Sequence, residues 1–311
     1  MYFMKKFFIL FSIISLFVCC KNEQTTFVYE TVEIIEKNAL YKDSVNWQSI
    51  KRNALKKAAS IKTQKEAHTI IKDVLKELND KHSFFVSKKR KNSVDNNQDR
   101  IVRIEHQIVN NDIGYVKIPS FSGNDSLSKV YVNTILEKIK KLDAIGIQHW
   151  IIDLRANRGG NMWAMLLGLS PFFGKQVIGY NARDSFYGSW SLKNDGIYYH
   201  DKKRLHHDTI YQLKNTPQKI AVLIGNETCS SGEAVAIAFI GMLNVRLFGS
   251  KTCGLSTSNS TISLKDDSYI YLTTMIFADR NKKIYGENII PDVITSTPKV
   301  NAVRWLHSKE N

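Results

Sequence analysis

The sequence predicts an α/β fold, a β-sheet core with flanking helices preceded by a small helical domain, and three observations carry that reading. Between Tyr29 and Asn79 the apolar residues recur at three- and four-residue spacing with no Pro or Gly to interrupt them, as in Ala67, Ile70, Ile71, Val74, Leu75 and Leu78. From Ile101 the texture changes to short apolar runs alternating with amphipathic ones. The run KIAVLI, Lys219 to Ile224, is short, apolar and β-branched, and a turn joins it to the apolar AVAIAFIG. That is the pattern of a buried strand followed by a buried helix.

Of the 311 residues, 43% are apolar and 11% aromatic, enough for one large domain or two small ones with a packed core. The net charge of +15 could point to nucleic acid or an anionic surface. The basic residues are scattered, however, and the densest run, SKKRK at Ser87 to Lys91, reads as a solvated loop. No nucleic-acid module is present.

In chain order, the N-terminus comes first. Lys5 and Lys6 precede a mainly apolar stretch from Phe7 to Val18 that is too short to span a bilayer as a stop-transfer helix, and Cys19 and Cys20 follow. Residues 1–20 therefore read as an export signal, and the Cys pair resembles that of a bacterial lipoprotein signal. That resemblance makes Cys19 and Cys20 both candidates for lipidation. It also implies a lipid anchor at the bacterial cell envelope, facing the periplasm or the cell surface. Only Cys229 and Cys253 remain in the body of the chain. They could form one disulfide in an oxidising envelope, but they make no metal-binding pattern, so no metal site is expected.

The helical domain spans 27–87, and the polar stretch Lys88 to Arg100 is a loop or linker. The core domain, 101–298, opens with IGYVKI, a helix from Ser126 to Leu142 and HWIIDL, a crossover unit whose strands are expected to be parallel neighbours. A helix (Asn161 to Phe173), a strand (Gln176 to Tyr180), the Lys219 strand and a helix (Glu233 to Met242) continue it. Strands at NVRLFG, TISL and SYIYLTTMIFA finish it, and 184–218, rich in Tyr, His and Lys, reads as an insertion or lid.

Three places carry candidate chemistry. WIIDLRANRGGN, Trp150 to Asn161, ends a strand in a turn with Gly159 and Gly160, where backbone N–H groups can approach a ligand. LNDKHSFF fixes His82 just after the helical pattern ends at Asn79, as a general base requires. The turn TCSSGE, Thr228 to Glu233, sets small hydroxyl residues at a helix start, either as caps or as a nucleophile.

Taken with GSKTCG and GENIIPD, the order and spacing of these motifs resembles the C-terminal-processing and tricorn-core serine peptidases over Leu78 to Asp292. The resemblance implies a crotonase-like sheet core and Ser230 as nucleophile. It implies an oxyanion hole from the N–H of Gly159 or Gly160 and of Ser231. The processing branch takes its base from a Lys where this chain has Leu255, so the Ser–Lys dyad is absent. The tricorn-like branch instead implies His82 as base and an acidic partner near the terminal motif, best matched by Glu287. The chain between Phe85 and Gly114 is too short to hold the PDZ domain common in the family. The expectation is an exported serine endopeptidase acting on peptides or proteins through an acyl-enzyme, with no cofactor. The alternative is a non-catalytic peptide- or ligand-binding lipoprotein that retains the fold.

Overall fold

The computed structural model describes residues 23–88 and 104–309. The signal segment 1–20 with Cys19 and Cys20, and most of the polar linker, lie outside the described residues.

Three helices, α1 (Glu23–Asn38), α2 (Trp47–Ala58) and α3 (Gln64–Glu77), precede the sheets. Thr63 caps α3 and accepts from Glu66 N, while Glu66 reaches back to Thr63 N, so two otherwise unpaired donors are satisfied reciprocally. At its other end Asn79 takes a left-handed conformation (φ 53°), as does Lys81 (φ 57°), and the chain turns sharply towards His82. The buried faces of the helices pack on Phe85, Leu264, Ile270 and Leu272, so the helical region shares one core with the hairpin it covers. Arg183 adds a polar tie by donating to the free C-terminal carbonyls of Asn38 and Ala39 at α1.

Two sheets follow. The first contains β1 (Phe84–Val86), β5 (Val177–Arg183), β6 (Phe186–Lys193), β7 (Gly196–Tyr199), β8 (Lys202–His206), β11 (Thr257–Ser263) and β12 (Tyr269–Ala278). Its path runs β1-β12-β5-β6-β7-β8, antiparallel throughout, with β11 also on β12. The second contains β2 (His106–Val109), β3 (Ile113–Lys117), β4 (His149–Asp153), β9 (Lys219–Ile224), β10 (Val245–Gly249) and β13 (Val293–Ile294), in the order β13-β10-β9-β4-β3-β2. All its pairs are parallel except β2 with β3.

The crossover helix α4 (Asp125–Asp143) joins β3 to β4, which are parallel neighbours. Helices α5 (Met162–Gly168), α6 (Ser170–Phe173) and α7 (Ser231–Phe239) fill the space between the sheets. The outer face of the second sheet is covered by α8 (Pro298–Leu306), whose Ala302, Trp305 and Leu306 pack on Ile151, Ala221, Leu223 and Phe248. Strand β9 is thus buried on both faces, Ile220, Val222 and Ile224 inward and Ala221 and Leu223 outward. This double burial is why KIAVLI is a continuous apolar run. Each such Ile, Leu or Val contributes about 1.5–3 kcal/mol of burial. Residues 184–218 add β6, β7 and β8 to the edge of the first sheet.

Candidate active site

The site lies where β4, β9 and β10 end, at the carboxyl edge of the parallel sheet. After β9 the turn reaches Ser230, which caps α7 with φ 53° and ψ −117°. A non-glycine residue held there is strained, and its neighbours fix it. Cys229 N donates to Asn157 O (2.9 Å), Thr228 Oγ1 donates to Leu154 O (2.9 Å), and Ser230 N donates to Glu233 Oε2 (2.9 Å).

The β4 turn approaches closely from the other side. A Cβ on Gly159 would lie 2.9 Å from Ser230 Cβ, and one on Gly232 would lie 2.4 Å from Asn157 O, so neither position tolerates a side chain. The N–H of Gly159 is engaged by Asn157 Oδ1 (2.9 Å). Among the described residues the N–H groups of Gly160 and Ser231 have no acceptor, and Ser231 Oγ donates to Gly160 O (2.7 Å), joining the two turns. Of the amides expected to face an oxyanion, that of Gly159 is thus engaged within its own turn, while those of Gly160 and Ser231 are not. Below the turn, burial pushes the Asp153 carboxyl up. The Arg155 and Tyr115 hydrogen bonds outweigh it and hold the group below the ordinary range.

His82 comes from the helical side and is 8% exposed. Its Nε2 lies 2.9 Å from Ser230 Oγ and its Nδ1 lies 2.7 Å from Thr257 Oγ1. Its main chain is pinned at both ends: the N–H donates to Asp80 Oδ1 (3.0 Å), and the carbonyl accepts from Asn259 Nδ2 (2.9 Å). Ser83 points away, donating to Asp80 Oδ2 (2.5 Å). Burial lowers the imidazole pKa to about 4, with Asp80 pulling weakly in the other direction. The ring is neutral at pH 7. In the tautomer whose Nδ1–H is donated to Thr257 Oγ1, Nε2 is the acceptor facing Ser230 Oγ.

Glu287, expected at the imidazole, is not there. It sits in an exposed loop where its backbone carbonyl accepts from Ser256 Oγ (2.5 Å), and the first residue of β11, Thr257, fills the buried space at Nδ1. The carboxylate that does belong to the site is Glu233, fully buried, which sequence reasoning read only as a helix start. Its Oε2 accepts from Ser230 N and Leu255 N (2.9 Å each), and its Oε1 accepts from Thr252 Oγ1 (2.5 Å) and Gly254 N (3.1 Å). Burial raises its pKa against the pull of these four donors. The sequence signal was the Ser-x-x-Glu spacing at a helix start, which announces a carboxylate reaching back. Cys229 and Cys253 form a disulfide with Cα atoms 5.3 Å apart, bridging the Ser230 turn to the same loop.

Comparison with known proteins agrees with this architecture. The chain is 30% identical over 290 residues to the nisin-resistance protein of Lactococcus lactis, covering 91% of this chain and 87% of that protein. Its fold is similar to that of a lipoprotein from Streptococcus agalactiae, with a TM-score of 0.78 at 25% identity over 92% of this chain and 97% of the other. It is also similar to the photosystem II D1 C-terminal processing protease, with a TM-score of 0.58 at 13% identity over 93% and 98%, a likeness of fold alone. Peptide or protein substrates and peptidase-type chemistry are what such a family implies. The matching family model spans residues 112–295, taking in both glycine-bearing turns, Ser230 and Thr257 while His82 enters from the segment before it, and the chain belongs to peptidase family S41.

Proposed function

We propose that the protein is an exported serine peptidase, lipid-anchored at the bacterial cell envelope, that cleaves peptide bonds through an acyl-enzyme on Ser230. The 2.9 Å approach of Ser230 Oγ to the neutral Nε2 of a buried His82 carries the reading. Ser230 Oγ attacks the scissile carbonyl while His82 Nε2 takes its proton, and the N–H groups of Gly160 and Ser231 hold the oxyanion at the positive end of α7. His82 then protonates the leaving amine, and water, activated by the same nitrogen, releases the acyl group. Thr257 keeps the ring in the tautomer this requires.

Thr257 is neutral, so the imidazolium is balanced less than a carboxylate would balance it. This favours a base that stays deprotonated down to low pH. A relative named for nisin resistance and a lipoprotein of like fold support a peptide met at the envelope as substrate. Among the described residues no helix is long and apolar enough to cross a membrane.

The test is mass spectrometry of the purified protein incubated with peptides. Cleavage by the parent and none by Ser230→Ala is expected. Peptide binding without cleavage by the parent would favour the non-catalytic alternative.

A further inference from the structure

Two tethers meet behind Ser230, and only one of them is non-covalent. Glu233 gathers the nucleophile's own N–H and three donors of the loop between β10 and β11, namely Thr252 Oγ1, Gly254 N and Leu255 N. The Cys229–Cys253 bond joins the same two pieces of chain, one residue before Ser230 and four before Thr257. The loop from Ser250 to Ser256 has no regular secondary structure, yet it delivers Thr257 to His82 Nδ1 at 2.7 Å. The position of the nucleophile and that of the group orienting the base therefore depend on one junction.

We infer that the Cys229–Cys253 disulfide is a positioning element of this site, and that its reduction by a dithiol slows acylation of Ser230 while the fold persists. The inference rests on the acyl-enzyme reading above. Both cysteines are partly exposed, so a reductant can reach them. A thiolate of the dithiol attacks one cysteine sulfur, breaking the S–S bond and forming a mixed disulfide. The dithiol's second thiolate then displaces that sulfur. Two electrons and two protons end on Cys229 and Cys253, and the reductant leaves as its cyclic disulfide.

The reduced state harms the site through Glu233. Cys253 Sγ lies 3.7 Å from Glu233 Oε2. Reduction leaves a thiol there, facing a carboxylate. Its S–H then becomes a fifth donor to a carboxylate whose roughly four acceptor sites are filled, in competition with Ser230 N and Leu255 N on the same oxygen. Loss of the covalent tether and this competition both loosen the strained Ser230 turn.

The experiment compares the rate of fluorophosphonate labelling of Ser230 in oxidised, dithiothreitol-reduced and reoxidised protein. Thiols are counted by intact mass, the fold is followed by far-UV circular dichroism, and amide hydrogen exchange is recorded over 228–233 and 252–257. Reduction should slow labelling, and kcat for peptide cleavage, by about tenfold or more with KM little changed, since displacements near 1 Å carry such losses. Exchange should accelerate in those two segments, and reoxidation should restore both. Cys229→Ala/Cys253→Ala should be indifferent to dithiothreitol. A reduced, folded protein labelled within about twofold of the oxidised rate, with exchange unchanged, overturns the inference. No labelling of the folded, oxidised protein overturns the acyl-enzyme reading instead, and exchange then decides the tether by itself.

Discussion

His82 Nδ1 and Thr257 Oγ1 lie 2.7 Å apart inside the protein, so the base proposed for this site is oriented by a hydroxyl. Thr257 is 4% exposed, and β11 carries it beneath the ring. Replacing Thr257 by Val keeps the shape and removes the acceptor of Nδ1–H. The acylation rate should fall by about 10- to 100-fold, less than the loss of a base, and Thr257→Ser should recover most of it. Glu287→Gln should leave the rate unchanged, because the Glu287 side chain does not reach the imidazole. Stopped-flow acylation by an activated ester distinguishes the three variants.

Ser230 and His82 act as one unit in the proposed chemistry. Ser230→Ala and His82→Ala should each lower peptide cleavage by on the order of 10⁴-fold or more, and the double variant should be no worse than either. Leu255→Lys should not raise turnover, since Ser230 Oγ already has an acceptor in Nε2 and the Leu255 N–H is held by Glu233. Initial rates with a fluorogenic peptide measure all four.

Glu233→Gln exchanges one acceptor oxygen for an NH₂ group that must face donors. The variant should lose about 2–4 kcal/mol of stability and most activity, because buried donors are left unmatched. Denaturant unfolding of the oxidised protein gives the first quantity.

Burial also links His82 to stability. Its folded pKa of about 4 lies below the ordinary His value near 6.5, so the unfolded chain binds the extra proton between those values. The contribution of a neutral His82 is fully present above about pH 6.5 and is lost as pH falls towards 4. His82→Phe should flatten the dependence of Tm on pH in that window. Calorimetry at several pH values reads the slope.

Much of this site was legible in the sequence because local patterns place its parts. KIAVLI with the small turn after it identifies a strand end, and the paired glycines of the β4 turn identify a close approach. Their positive φ values of 99° and 124° bear out why glycine stands there. The crossover strands β3 and β4 follow from periodicity. The orienting partner of His82 was not legible, since Thr257 is 175 residues away and reads as an ordinary strand residue. Glu287 drew attention through its motif, whereas Glu233 matters through three loop donors that only the folded chain assembles. Strands β6 to β8 were hidden by polar alternation at a sheet edge, where Lys202, Lys203 and Arg204 face solvent. The helix α8 lies past the last motif, and its packing on the outer sheet face emerges only from Trp305 and its neighbours.

The most direct test of the central claim is the pH dependence of Ser230 labelling by a fluorophosphonate between about pH 3 and 8. A neutral, buried His82 as base predicts a rate that rises through a midpoint near 4 and is level by neutral pH, with labelling abolished in Ser230→Ala and nearly so in His82→Ala. A rate still climbing through pH 7, or one that keeps its size and pH profile in His82→Ala, would contradict it.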